Sequence, residues 1–316
     1  MQITRAIEDV FARVDVAGVL HARRVDQESM QVGVQADQPV VLASVFKITV
    51  ALAYARAVAE GSLDPRERAT VTERYRVGGI GTAGFHDDAE LSLRDLASLM
   101  MTQSDNAATD IVLNRVGLPA VQDVIRDLQL SQTRIDGGCE YLFRTMFDDL
   151  GVDRADGLDA LEQGWREKGS QALRAMDPLR SAHRSTPRDI TRELSMIWTD
   201  SGSAPRACKI VRDVMADQVW THRLTSGFDD DVTVAGKTGT LATGASTVVR
   251  NEAGVVGFPD GRHYAVAVFL RARTDRIRNP LADAAIGTAA SLAIEHLRTK
   301  ETTTIADMSG DKEGNA

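Results

Sequence analysis

The stretch SVFKITVALAYARAVAEG, residues 44–61, holds an apolar residue or alanine at most positions and ends in glycine. This pattern predicts a helix that is apolar on all sides and lies in the centre of the fold, with Gly61 just past its C-terminus. Lys47 is the unusual residue in such a helix. Burial among apolar side chains lowers the pKa of a lysine, so Lys47 can be neutral and can act as a base.

Ser44 precedes Lys47 by three residues, and residues at this spacing lie on one face of a helix. The two side chains can therefore touch. A serine hydroxyl is a poor nucleophile until a neighbouring base takes its proton, and the backbone N–H groups of a helix N-terminus suit a developing oxyanion. The pair indicates covalent acyl chemistry, although Ser-x-x-Lys is a frequent pattern: a second copy runs from Ser309 to Lys312.

A second polar motif, Ser104-Asp105-Asn106, falls between two segments with helical spacing, at 91–102 and 107–116. Taken alone, the motif is an ordinary helix N-cap, because Ser, Asp and Asn all accept hydrogen bonds from the first turn of a helix. The tripeptide occurs by chance in roughly one chain in twenty of this size. It therefore indicates function only in combination with other motifs.

A third motif, Lys237-Thr238-Gly239-Thr240, follows the β-branched segment 232–235, which is predicted to be the end of a strand. Taken alone, it is a turn that contains glycine. Its chance frequency is again on the order of 2–5%. Three such motifs in this order, on a predicted helix, loop and strand, are hard to obtain by accident.

Together the three motifs resemble the class A β-lactamase and penicillin-binding family of active-site serine enzymes. The resemblance covers residues 15–297, and the 60-residue interval between Ser44 and Ser104 is similar to that of class A enzymes. Segments 91–117 and 234–271 also look like class A-related hydrolases. The resemblance implies an α+β fold of the β-lactamase/transpeptidase type, with a five-stranded antiparallel sheet flanked by helices and an inserted all-helical region.

The resemblance also implies roles for the residues of the first two motifs. Ser44 is expected to be acylated, with Lys47 as its general base. Ser104 is expected to shuttle a proton to the leaving nitrogen or oxygen. Asn106 is expected to bind the side-chain amide of the substrate.

The third motif is implied to recognise the substrate carboxylate and the oxyanion. Lys237 would hold Ser104 and the carboxylate electrostatically, and Thr238 would hydrogen-bond with the carboxylate. The backbone N–H of Thr240 would form the oxyanion hole with that of the nucleophile, while Gly239 lets the acyl group lie against the strand edge because it has no side chain. Arg250, on the next strand, is either a second carboxylate anchor or a solvated strand arginine.

The chain departs from the class A pattern where the acyl-enzyme should be hydrolysed. Class A enzymes use a loop glutamate, normally followed four residues later by an asparagine that helps to hold the water. Residues 133–136 resemble the lead-in to that loop, and Glu140 lies near the expected place. An extra residue separates Asp136 from Glu140, however, and position 144 is Arg144. Glu140 is thus either the deacylation base or a solvated loop residue.

Predicted elements divide the chain into layers. Helical spacing is expected at 3–14 and 281–297, and strands at 16–23, 29–34, 232–235, 246–256 and 263–270. Residues 1–43 and 211–299 should form one discontinuous α/β sheet layer, and residues 44–210 a helical region. The chain has about thirty more residues in this region than the family pattern has, and residues 148–183 are expected to form a lid or an extra helical hairpin. Residues 300–316 are expected to form a disordered tail.

Composition narrows the classes of function. The net charge of −8 argues against nucleic acid or an anionic membrane as a partner, and 43% apolar residues are enough for a core. No CxxC or HExxH spacing occurs, so neither a metal nor another cofactor is expected.

Two cysteines, Cys139 and Cys208, are too few for a disulfide framework, although the sequence leaves open a single bridge between them. The sequence lacks an export signal at its start, and we expect a cytoplasmic monomer.

The sequence therefore predicts a serine hydrolase or acyltransferase that acylates Ser44 with an ester, amide or lactam bearing a carboxylate. Three alternatives stay open: a class A β-lactamase, a D,D-peptidase, and a ligand-binding module with weak catalysis. The residues of the three motifs favour an enzyme. The substrate depends on loops that the sequence does not place.

Overall fold

Both ends of the chain contribute strands to one sheet. The computed structural model describes residues 2–242 and 247–310, with side chains described up to residue 300. The strands are β1 (Val16–Arg24), β2 (Gln31–Val34), β3 (Val40–Val41), β4 (Arg68–Val71), β5 (Ala89–Ser92), β6 (Arg134–Ile135), β7 (His183–Ser185), β8 (Thr233–Ala242), β9 (Val248–Gly257) and β10 (His263–Ala272). Five of them form an antiparallel sheet in the order β2-β1-β10-β9-β8. The predicted α+β class and the five-stranded antiparallel sheet are confirmed.

Helices cover both faces of this sheet. They are α1 (Gln2–Arg13), α2 (Lys47–Glu60), α3 (Leu93–Thr102), α4 (Asn106–Val116), α5 (Leu118–Asp127), α6 (Cys139–Leu150), α7 (Gly157–Lys168), α8 (Pro187–Trp198), α9 (Pro205–Ala216) and α10 (Pro280–Gly310). On one face α1 and α10 pack through residues such as Ile7, Phe11 and Ile286. On the other face α2 lies in the main core with Ile48, Leu52 and others fully buried.

The predicted central helix is present, with a different start. A single 3-10 turn, Ala43–Phe46, comes first, and α2 begins at Lys47. Gly61 ends the helix in the left-handed conformation, φ 79°, as the glycine at that position predicts. Ala43, the first residue of this turn, has φ 47°, an uncommon conformation for a residue with a side chain.

The third motif lies inside a strand and not in a turn after one. β8 continues to Ala242, so residues 237–240 are all strand residues. Thr240 pairs with Arg250 and Gly239 with Asn251 on β9. The extension follows from this pairing, because β9 supplies backbone partners along the whole of β8.

The last helix runs past its predicted end. It continues to Gly310, and residues 301–309 contain neither glycine nor proline, so the helix can lengthen at little cost. Of the expected tail, residues 311–316 lie outside the described residues. The same holds for Lys312 of the second Ser-x-x-Lys copy.

The extra segment 148–183 packs against the end of the sheet. α6 and α7 form a helical pair whose first helix starts before residue 148, and one-turn helices follow. Leu161 and Met176 are buried in a separate cluster that includes Val41 and Val249. Arg271 also anchors the segment to the sheet, because it donates to the Met176 carbonyl at 2.8 Å.

Both cysteines, Cys139 and Cys208, are buried free thiols. No helix in the described part of the chain is both long enough and apolar enough to cross a membrane.

Candidate active site

The turn that carries Ser44 is held from two sides. Asn251 on β9 donates from Nδ2 to the carbonyls of Val41, at 2.9 Å, and Leu42, at 3.1 Å. From β7, the ring of His183 stacks on Phe46 with ring centroids 3.8 Å apart. These contacts position the segment before α2, which sequence spacing alone does not do.

Lys47 is fully buried, and its ammonium nitrogen lies among oxygens of the loop before α4. The Nζ atom is 2.8 Å from the Ser104 carbonyl, 3.3 Å from Ser104 Oγ and 3.0 Å from Asn106 Oδ1. Burial lowers the pKa of Lys47 from its usual range. Within the described residues, the hydrogen bonds of the Lys47 side chain run to this loop and not to the Ser44 hydroxyl one turn earlier.

The second motif is a strained and closely held loop. Ser104 has φ 65°, an uncommon conformation for a residue with a side chain. Asp105 is buried, caps α4 by accepting from Ala108 N at 3.0 Å, and accepts from Thr82 N at 2.5 Å. The N-cap predicted for this motif is therefore real, and the same carboxylate ties a neighbouring loop to the site.

Asn106 is engaged on both sides of its amide. Its Nδ2 donates to the Gly78 carbonyl at 2.9 Å, while its Oδ1 accepts from Lys47 and, at 3.2 Å, from the thiol of Cys139. Gly79 lies directly over this amide: a Cβ built on Gly79 would come within 2.8 Å of Asn106 Nδ2. The φ of Gly79 is 109°. The segment around Gly79 thus covers the amide that was expected to bind substrate.

β8 brings the third motif against the nucleophile turn. A Cβ added at Gly239 would stand 2.8 Å from the Leu42 carbonyl and 3.2 Å from Ser44 N, so only glycine allows this approach. Lys237 is fully buried and donates to the Thr238 carbonyl at 2.9 Å. Burial, followed by the charge of Lys47, lowers the pKa of Lys237 well below its usual range. The two lysines therefore interact electrostatically.

Arg250 differs from both interpretations that the sequence allowed. It is buried, and its guanidinium is paired with Asp283, with Nε 3.0 Å from Oδ1. It also donates to the Ile277 carbonyl. The arginine is therefore neither solvated nor free to anchor a ligand, because α10 brings a carboxylate to it.

Two polar residues near β8 were missed by the sequence analysis. Arg223 donates through Nη2 to Thr240 Oγ1 at 2.7 Å and pairs with Asp283 at 2.8 Å. Gln218 Oε1 is 3.4 Å from both the backbone N and Oγ1 of Thr238. Neither belongs to a local motif, so only the fold reveals them.

The structure places Glu140 apart from the other predicted site residues. It lies in the first turn of α6 with 30% of its side chain exposed, and its carboxylate pairs with Arg154 at 2.6 Å and with Arg144 at 3.8 Å. The preceding residue, Cys139, points inward and touches Asn106. Within the part of the chain that the structure describes, no group of three or more His, Cys, Asp or Glu residues could hold a metal ion.

The site therefore brings together the expected residues of all three motifs around a buried pair of lysines. Lys47, Ser104 and Asn106 meet on the helical side, one helical turn after Ser44, and Gly239 brings β8 against the Ser44 nitrogen. The arrangement can deprotonate a hydroxyl, pass a proton and bind an oxyanion.

Comparisons with known proteins agree with this geometry. A model of the β-lactamase enzyme family matches residues 2–297. A Streptomyces cacaoi relative, named β-lactamase regulatory protein BlaB, is 25% identical over 285 residues, which cover 85% of this chain and 89% of the relative.

Solved structures give the same fold. TLA-1 extended-spectrum β-lactamase superposes with a TM-score of 0.73 at 15% identity, covering 94% of this chain and 98% of its own. A PBP-A variant, solved as an acyl-enzyme complex with penicillin G, has a TM-score of 0.70 at 21% identity and covers 93% and 97% of the two chains. At such identities the likeness is one of fold.

Proposed function

Because the chain belongs to the β-lactamase enzyme family, we propose that it is a serine hydrolase that opens β-lactams through an acyl-enzyme on Ser44. The observation that supports this most is the environment of Lys47. This lysine is buried, its pKa is lowered, and its Nζ hydrogen-bonds with Ser104 and Asn106 one helical turn from Ser44. A neutral amine at that place can take the serine proton.

The proposed acylation step uses these groups in turn. Lys47 takes the proton of Ser44 Oγ as this oxygen attacks the lactam carbonyl carbon. The carbonyl oxygen becomes an oxyanion, which the backbone N–H groups of Ser44 and Thr240 stabilise. As the carbon–nitrogen bond breaks, Lys47 returns the proton through Ser104, 3.3 Å away, to the leaving nitrogen. The product is an ester on Ser44.

Recognition of a carboxylate is assigned to the β8 side. Thr238 offers a hydroxyl, and the buried amine of Lys237 lies beside it on β8. Arg250 is paired with Asp283, and Arg223 pairs with the same carboxylate while it donates to Thr240 Oγ1, so neither arginine is free to anchor the substrate carboxylate. Substrates with a carboxylate next to the scissile bond should therefore be preferred.

Intact-mass analysis after incubation with benzylpenicillin tests this proposal. The parent should gain the mass of one penicillin, and the Ser44→Ala variant should gain none. A panel of simple esters and peptides ending in D-Ala-D-Ala, run in parallel, separates a β-lactamase from an esterase and from a D,D-peptidase. If no compound of the panel acylates the parent or is turned over by it, the proposed hydrolase function is wrong.

A covalent β-lactam receptor is the second candidate. It is favoured by the position of Glu140, whose carboxylate pairs with Arg154 rather than with Lys47, and by a relative that is named a regulatory protein. A receptor would bind one penicillin per chain and release it slowly. Steady-state turnover above about one per minute would contradict this candidate and leave the hydrolase.

A further inference from the structure

The first turn of α6 presents a thiol to the acylation residues and turns the neighbouring carboxylate away. Cys139 is buried, and its Sγ donates to Asn106 Oδ1 at 3.2 Å. The same oxygen accepts from Lys47 Nζ at 3.0 Å. Glu140, the next residue, is partly exposed and is held by Arg154 at 2.6 Å. The group nearest to the Lys47–Asn106 pair on this side is therefore a thiol.

The rotation of α6 that produces this arrangement is fixed by Asp110. This carboxylate accepts from the backbone N of Cys139 at 2.6 Å and from that of Glu140 at 2.9 Å. It therefore satisfies two free N–H groups at the start of the helix. Exchanging the two side chains would require a turn of α6 that breaks these bonds and the ion pair with Arg154.

The thiol cannot accept a proton at neutral pH. Burial raises the pKa of Cys139 to about 12, against the opposing charge of Lys47. Cys139 is therefore protonated and donates to Asn106, so the thiol itself supplies no base to the site.

The two acidic groups that act electrostatically on Lys47 are occupied as well. Asp105 accepts from Ala108 N and Thr82 N, and Asp110 accepts from the two N–H groups of α6. Among the described residues, each oxygen of these two carboxylates thus already accepts a backbone N–H.

We propose that Cys139 makes the acyl-enzyme long-lived, because its thiol occupies the place beside Lys47 and Asn106 from which a base would activate the hydrolytic water. The inference rests on the proposed acylation of Ser44. In deacylation the oxygen of water attacks the ester carbonyl, its proton goes to a base, the bond to Ser44 Oγ breaks and Oγ regains a proton. Lacking an optimised base slows such a step by about 10²–10⁴-fold.

The decisive experiment follows the decay of the benzylpenicillin adduct by intact mass in the parent and in three variants. Cys139→Glu introduces a carboxylate beside Lys47 and should shorten the lifetime at least tenfold. Cys139→Ser keeps a neutral donor and should leave the lifetime within about threefold. Glu140→Gln, which changes the adjacent residue, is the matched control and should also stay within about threefold. Acylation rates and melting temperatures are measured for all four proteins.

The outcomes separate the two proposals. A parent that is neither acylated nor active overturns the proposed function and this inference with it. A parent that is acylated, with a folded Cys139→Glu variant whose adduct decays at the parent rate, overturns the inference alone. So does a parent adduct that decays faster than about one per second, or a Glu140→Gln variant whose adduct lives more than tenfold longer.

A measurement on the parent covers the case in which Cys139→Glu does not fold. Hydroxylamine attacks esters without help from a base, so it should shorten the lifetime of the parent adduct at least tenfold and release the hydroxamate. If hydroxylamine leaves the lifetime unchanged while reacting with the denatured adduct, access to the ester limits the lifetime, and the assignment to Cys139 is wrong.

Discussion

Gly239 and Ser44 meet backbone to backbone: a Cβ built on Gly239 would lie 3.2 Å from the Ser44 nitrogen. The strand that carries the third motif thus stands directly against the N–H group assigned to the oxyanion hole. Any side chain at position 239 must push the two apart.

Gly239→Ala is therefore expected to slow acylation at least tenfold, because the displaced N–H no longer points at the developing oxyanion. The second-order rate of adduct formation with penicillin measures this. Gly84→Ala is the control, since its Cβ would lie 3.9 Å from the nearest atom, the Gly79 carbonyl, and its backbone needs no special conformation. Equal rates in parent and Gly239→Ala would remove Thr240 and Ser44 from the oxyanion hole.

Ser44→Ala should abolish adduct formation and hydrolysis while it changes the free energy of unfolding by no more than about 1 kcal/mol, because it removes a hydroxyl and little packing volume. Mass spectrometry and urea unfolding check the two parts. Ser309→Ala, in the second Ser-x-x-Lys copy, should change neither. An adduct on the Ser44→Ala protein would place the nucleophile elsewhere.

Lys47→Ala should slow acylation at least about 100-fold. The parent rate should rise with pH as Lys47 loses its proton, and the lowered pKa of this lysine moves that rise toward neutral pH. The variant should lose this acidic limb. Stopped-flow acylation between pH 5 and 9 measures both effects, and rates within threefold of the parent would mean that another group is the base.

Lys237→Ala should raise KM most for substrates that bear a carboxylate, because its buried amine lies beside Thr238, the residue proposed to hydrogen-bond with the carboxylate. The comparison is between penicillin and a neutral ester of similar size. An equal rise for both substrates would assign Lys237 to catalysis in general rather than to carboxylate recognition.

Glu193→Gln should stabilise the protein more at pH 8 than at pH 5. Burial raises the pKa of Glu193 to about 7, while its Oε2 still accepts from Thr49 at 3.1 Å. The folded state therefore holds the proton more tightly than the unfolded state, so stability falls as pH rises from about 4.5 to about 7. Urea unfolding at both pH values measures the difference. Glu60→Gln, at an exposed position, is the control, and its effect on the free energy of unfolding should not depend on pH in this way. If both variants show the same pH dependence, the role given to burial is wrong.

The sequence by itself determined the features that depend on local pattern. The apolar run after Ser44 predicted the buried helix with its lysine, and β-branched segments separated by turns predicted the strands at the two chain ends. The three motifs resemble those of active-site serine enzymes, and this resemblance implied that Ser44, Ser104 and Lys237 share one site.

Tertiary structure decided everything that depends on which side chains meet across the fold. Arg250 looked free in the sequence and is paired with Asp283 from α10, whereas Arg223, which belongs to no motif, reaches Thr240. The sequence also could not show which of the adjacent residues Cys139 and Glu140 faces the site, since the rotation of α6 is set by Asp110 from another helix. Such contacts join residues far apart in the chain, and local patterns carry no information about them.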